Sequence, residues 1–310
     1  MEIKNDFCFY KKLIKRMSLN IPIWKLRDWI DIKKLDWDKL SYNKNAIQLL
    51  EANKDKINWN ILSFNKNAIH LLEANQDKIN WNFLSYNSNA IEIIKKRPDR
   101  IDWYNLSFNK NAIKLLEENQ ENINWDNLSL NKNAIHLLEA NPEKINWEKI
   151  SKNKNAIELI KKNLDKIDWY YLSYNKNIIE ILEDNKDKII WYYLSLNINA
   201  IKLLEENPEK INWLLLSENE NAIELLKKNK DNIDWNNLSR NKNAIYLLEE
   251  NSYKIEWYHF SSNTGIFQLD YEKMRENNLD MYEELIKEVM KPSRVFKNPE
   301  YDYLEELFGD

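Results

Sequence analysis

The sequence predicts an all-α fold, an α-solenoid of about ten short repeats. Three observations predict it: a tryptophan every 22 residues, a helix-forming run at one place in each interval, and a unit too small to hold a core alone. Tryptophan recurs from Trp37, Trp59 and Trp81 through to Trp257, a spacing of 22 residues held without insertion or deletion. A fixed period of this length is the signature of a repeat array. The unit reads Ile-Asn/Asp-Trp-x-x-Leu-Ser-x-Asn-Lys-Asn-Ala-Ile-x-Leu-Leu-Glu-x-Asn, as in Ile79, Asn80, Trp81, Leu84, Ser85, Asn87, Asn89, Ala90 and Ile91. Serine follows the Leu/Ile/Phe column in all eleven copies, from Ser41 to Ser261.

Within the unit, Asn65 to Glu73 predicts the first helix, because Ala, Leu and Glu are good helix formers and Ala68, Ile69 and Leu72 share a face. Asn65 is the expected N-cap. Pro98, Pro142 and Pro208 end that helix and suit the first position of a second helical turn, with Asn141 and Asn207 capping it. Ile145, Trp147 and Ile150 then fall on a shorter segment, α or partly 3₁₀. Each repeat is therefore expected to be a two-helix unit, with the solenoid covering 37–263.

Residues 1–36 are expected to form an N-terminal cap, in which Trp24 and Trp29 cover the first unit beside a basic amphipathic helix at 7–17. Residues 264–310 are expected to form a C-terminal helical cap, with helices near 270–290 and 299–308. Ile57, Trp59, Leu62, Ala68, Ile69, Leu71 and Leu72 cannot be buried by one unit, so neighbours must stack and share them. Each large side chain so buried contributes about 1.5–3 kcal/mol, and the Trp column is read as core. Helices packing 8–10 Å apart would give a curved rod on the order of 100 Å long, each column forming a stripe along it. A leucine-rich horseshoe is the rival fold. It would point the Phe64 position into the core, yet that column also holds Lys152, Glu218 and Arg240, whose unpaired burial is costly.

The Leu-Ser-x-Asn-Lys-Asn-Ala-Ile-x-Leu-Leu-Glu-x-Asn and Ile-Asn/Asp-Trp strings resemble the short Asn/Trp repeats of giant DNA viruses of the mimivirus and phycodnavirus kind, over about 37–263. The tail from Gln268 to Phe308 resembles the closing segment of such proteins. The spacing is also similar to leucine-rich-variant repeats, solenoids of alternating α and 3₁₀ helices. These resemblances imply fold and a viral origin, with the cytoplasm of an infected cell or the virion as the setting, and no activity.

Composition narrows function. The 310 residues carry 46 basic and 50 acidic side chains, so the net charge of -4 predicts no strong global attraction to nucleic acid or anionic membrane. One cysteine, Cys8, leaves no intramolecular disulfide framework or thiolate zinc site. Gly265 and Gly309 are too isolated for a phosphate-binding glycine loop. The Ser column has no histidine in register to act as base, and His70, His136 and His259 are too far apart to share a metal on such a rod. A nonenzymatic protein is predicted, without catalytic residue, cofactor or metal, soluble, monomeric and not secreted.

Lysine recurs at Lys44, Lys66, Lys110, Lys132, Lys154, Lys176 and Lys242, and a stripe of this kind could follow a phosphate backbone. Neighbouring acidic columns are expected to cancel its field, which makes nucleic acid the weaker reading. The variable columns are more informative. Around the middle of the array they hold Tyr170, Tyr171, Tyr174, Tyr192, Tyr193, Leu196, Ile198, Leu214 and Leu215, where other units have polar residues such as Asn236, Asn237 and Arg240. Contiguous aromatic and aliphatic surface marks a partner site, so these residues are the predicted protein-binding patch. The predicted function is a protein-interaction platform, with a structural or virion-associated spacer as the alternative.

Overall fold

The computed structural model describes residues 22–277 and 287. Cys8, the basic segment at 7–17 and the helix expected near 299–308 lie outside the described residues. The chain divides into two compact units: Leu26–Phe267, which contains every repeat, and a smaller one made of Met1–Lys25 with Gln268–Asp310. In the smaller unit Asp270 donates its N–H to the Ile23 carbonyl at 2.8 Å and caps the helix at 271–277 by accepting from the Lys273 N–H at 3.1 Å.

The larger unit is helical and repeats every 22 residues, as expected, but most repeats hold three helical segments rather than two. In the second repeat these are a Trp helix (Trp59–Leu62), an Ile helix (Ile69–Ala74) and a 3₁₀ turn (Gln76–Lys78). The Trp helix starts where it does because Asn58, just before it, accepts from the Ile61 N–H at 3.1 Å, a side-chain N-cap. Asn65, expected to cap the following helix, does not. Its Oδ1 accepts from the Asn67 N–H at 3.1 Å in a tight turn, and the Ile helix begins later, after Ala68, with no side-chain cap. Asn141 likewise serves the helix behind it, donating from Nδ2 to the Leu137 carbonyl at 2.9 Å. Pro142 fits the first position of its 3₁₀ turn, where no N–H is required.

The innermost side chains are aliphatic. Leu62, Ala68 and Leu72 and their equivalents have no solvent exposure, whereas every Trp of the period is only half-buried. The expectation that the indoles form the core is corrected here. The ring sits at the edge of the layer, and the 3₁₀ turn that ends the same repeat usually lays a cation over it: Lys56 on Trp37 at 4.6 Å, Lys78 on Trp59 at 4.7 Å, Lys210 on Trp191 at 4.4 Å. An amphipathic ring is suited to that edge, since one side packs and the other meets water or charge.

Polar columns stitch the layers. Ser63 Oγ donates to the Trp59 carbonyl at 2.9 Å and accepts from the Asn80 N–H of the next repeat at 3.1 Å. Asn87 Nδ2 donates to the Ser63 and Asn65 carbonyls of the preceding repeat at 3.0 and 3.1 Å, while its Oδ1 accepts from the Asn89 N–H. These columns are buried, and their hydrogen bonds satisfy backbone groups that water cannot reach.

The expected open rod is the second correction, because the repeats close into a ring. The Asp36 N–H donates to Ser261 Oγ at 2.8 Å, and Asn43 Nδ2 donates to the Ser261 and Asn263 carbonyls at 3.1 and 3.0 Å. Asn45 Nδ2 reaches the Thr264 carbonyl at 3.1 Å, and Lys34 lies over Trp257 at 4.9 Å. Each of these hydrogen bonds is the one an interior repeat makes with its predecessor, and Lys34 stands to Trp257 as a repeat's own 3₁₀-turn lysine stands to its Trp, so the first repeat follows the eleventh in register. Trp29 belongs to this seam too, packing on Phe260 of the last repeat at 5.9 Å between ring centres. The strand β1 (Trp24–Leu26) pairs with β2 (Phe267–Leu269), and within the larger unit the Arg27 N–H donates to the Ile266 carbonyl at 3.0 Å. A full turn shared by eleven repeats requires about 33° per repeat, a curvature that packs the stitched side densely and splays the other.

Candidate functional site

Three surface columns follow each Trp, and the predicted patch divides among them. The first position after Trp is exposed in every repeat. It is polar in six repeats, as at Asp38, Asn60, Asn82 and Asn236, and a tyrosine stands alone at Tyr104 and Tyr258, but it becomes Tyr170, Tyr192 and Leu214 in three successive repeats, at 40, 46 and 47% exposure. Ile190 adds to this surface at 39%, in the position where other repeats carry the Asn, Asp or Glu N-cap; its Trp helix has no side-chain cap.

Tyr171, Tyr193 and Leu215, at the second position, are half-buried and floor the exposed residues. Tyr170 meets Tyr171 edge-on at 4.7 Å, lies 3.9 Å from the Tyr193 ring across the repeat boundary, and hydrogen-bonds it hydroxyl to hydroxyl. Tyr192 meets Tyr193 edge-on at 4.8 Å. The Tyr170 hydroxyl raises the Tyr193 pKa above the usual phenol value, as a hydrogen bond to Glu148 does for Tyr171, and Lys152 Nζ sits 3.4 Å from the centre of the Tyr171 ring. The remaining predicted residues are not part of this cluster. Tyr174 and Leu196 follow Ser, and Ile198 stands in the lysine column; Tyr174 is exposed and the other two are half-buried.

Those last two columns face the concave side. A cavity of about 670 Å³ is lined from six successive repeats, by Lys66, Ser88, Lys110, Lys132, Lys154 and Lys176 of the lysine column and by Tyr86, Phe108, Leu130 and Lys152 after Ser. Tyr86 stands edge-on to Phe108 at 5.6 Å and to Phe64 at 5.8 Å. Partial burial, then the charges of Lys110, Lys132 and Lys44, lower the Lys66 pKa; burial, then Lys176 and Lys132, lower that of Lys154. Lys66 and Lys132 are three repeats apart in sequence, so their mutual influence is a direct consequence of curvature.

His70 and His136 each contact a glutamate of the preceding repeat, Glu51 at 2.6 Å and Glu117 at 2.7 Å, on the surface. Among the described residues no group of three or more His, Cys, Asp or Glu side chains is placed to hold a metal ion, and no helix is long and apolar enough to cross a membrane. Comparison of the chain with protein-family models, curated proteins and solved structures found no match to any of them.

The sequence signalled the lysines as a recurring column, but on an open, gently curved rod they would form a dispersed stripe. Their convergence follows from the ring.

Proposed function

We propose that the protein is a nonenzymatic interaction platform, a rigid ring that docks a protein partner on the arc formed by Tyr170, Ile190, Tyr192 and Leu214. The observation that carries this reading is the exchange of polar for large apolar side chains at the first position after Trp in three successive repeats, all well exposed. Such contiguous surface is unfavourable in water unless something covers it. Tyrosines pinned by the rings beneath them give up little side-chain entropy on binding, which favours an anchor role. The resemblance to the Asn/Trp repeats of giant DNA viruses supports an infected cell or a virion as the setting. A rod-like spacer draws no support from an array whose ends are joined.

The test compares Tyr170→Ser/Tyr192→Ser/Leu214→Ser with a control, Asn60→Ser/Asn82→Ser/Asn236→Ser, at the same column elsewhere on the ring. Both variants should keep the circular dichroism of the parent. The platform reading predicts that the first loses a reproducible set of co-purifying proteins and the control keeps it. Equal retention by both removes this arc as the docking face.

A further inference from the structure

We propose that the cavity on the concave side of the ring binds a compact molecule carrying several phosphate groups, held by Lys66, Lys110, Lys132, Lys154 and Lys176. The site is separate from the Tyr/Leu arc and stands without it. These five ammonium groups, from five repeats, line one cavity of about 670 Å³ together with Lys152, and no carboxylate lines it. None of the five makes an ion pair with a described residue, whereas Lys242 of the same column is tied to Glu220 at 2.6 Å.

Packing does not demand lysine there. Ser88, Ile198 and Glu220 occupy the same column, and the asparagine of the following repeat still reaches each of their carbonyls, at 2.7, 2.8 and 2.9 Å. Like charges gathered where the fold would accept serine or isoleucine cost stability, and a polyanion reverses that cost. Ser88 contributes a second feature. It interrupts the lysines between Lys66 and Lys110, its shorter side chain leaves volume in the wall, and its buried Oγ has no hydrogen-bond partner.

The ligand must carry several negative charges, because one carboxylate would leave most of the ammoniums repelling one another. Phosphate supplies that density, and lysine is a common point-charge partner for it. The cavity has the volume of a small-molecule site. Beyond Lys176 the column continues as Ile198, Glu220, Lys242 and Thr264, where the one lysine is neutralised by Glu220, so the unpaired lysines keep to one arc and a compact anion fits better than a long strand.

The experiment is calorimetric titration of the full chain at low salt with three probes: inorganic tripolyphosphate, myo-inositol hexakisphosphate and ATP. The variant Lys66→Gln/Lys132→Gln/Lys154→Gln is compared with Lys54→Gln/Lys186→Gln/Lys230→Gln, which neutralises three lysines on the 3₁₀ turns. One-to-one binding of at least one probe is expected, weakened about tenfold for each cavity ammonium removed and unchanged in the control. ATP binding more tightly than tripolyphosphate would add a base on the Tyr86 and Phe108 side; parity would leave the phosphates as the recognised group, and either result supports the site. The proposal is overturned if no probe binds, if the control loses as much as the cavity variant, or if a single-stranded oligonucleotide binds more tightly than all three probes and displaces them.

Discussion

Asn131 shows how one amide serves two layers. Its Nδ2 donates to the Ser107 and Asn109 carbonyls at 3.0 and 3.1 Å, and its Oδ1 accepts from the Asn133 N–H at 3.1 Å. Alanine there would remove all three bonds, two of them buried, although the Asn109 carbonyl would still accept from the Ala112 N–H at 3.0 Å, and a loss of about 2–4 kcal/mol is expected in urea unfolding. Asn133→Ala should cost no more than about 1 kcal/mol, because its bond to the Lys110 carbonyl is exposed. Gly265 is the other sharp case. A Cβ on it would lie 2.6 Å from the Lys242 carbonyl and 2.6 Å from Ile245 Cγ1, so Gly265→Ala is expected to lower the melting temperature by forcing backbone apart beside the seam. The recurrence of Asn and Ser at fixed offsets made their layer-joining role legible in the sequence. Which carbonyl each amide serves was not, because Asn65 and Asn141 have the same capping chemistry available in either chain direction.

At the level of the helical element, the Trp helix is the most regular device in the chain. Ten of its eleven copies have an Asn, Asp or Glu accepting from an N–H two or three residues on; only Ile190 breaks the rule. Stability and binding are in opposition at that position. Ile190→Asn should restore the cap and stabilise the ring by about 1 kcal/mol, seen as a raised denaturation midpoint, while weakening capture of the partner. Gains in both would separate Ile190 from the docking arc. The existence of a helix over Ala68 to Leu72 was readable from composition and spacing. Its start was not, since a tight turn on Asn65 competes with capping, and so the Trp segment reads as a minor second helix rather than a separate, capped one.

For the whole molecule the governing quantity is the small rotation between repeats, which no residue states by itself. The strict period guarantees that the rotation is uniform, and uniform rotation either closes or spirals; the in-register bonds from Asn43 to Ser261 and Asn263 decide for closure. Closure also gathers the lysines. With its pKa lowered, Lys66 binds its proton less tightly in the folded ring than in the unfolded chain. The stability tied to this group is therefore greatest above the ordinary lysine range and falls as pH drops from there through the lowered value. Lys66→Gln is expected to raise the melting temperature at neutral pH and low salt. The gain should shrink near 1 M salt, where the screening length is about 3 Å, and again above the ordinary lysine pKa.

The most direct measurement of closure is the distance between the first and last repeats by double electron–electron resonance. Spin labels would be placed on Asp38→Cys with Tyr258→Cys, and on Asp38→Cys with Asn60→Cys as a neighbouring-repeat standard, both in a Cys8→Ser background. Because Lys39 already lies over the Tyr258 ring at 4.4 Å, the two label pairs should give overlapping short distances. An open array would carry Tyr258 about 90 Å from Asp38, and a distribution displaced far beyond the standard pair would contradict the ring.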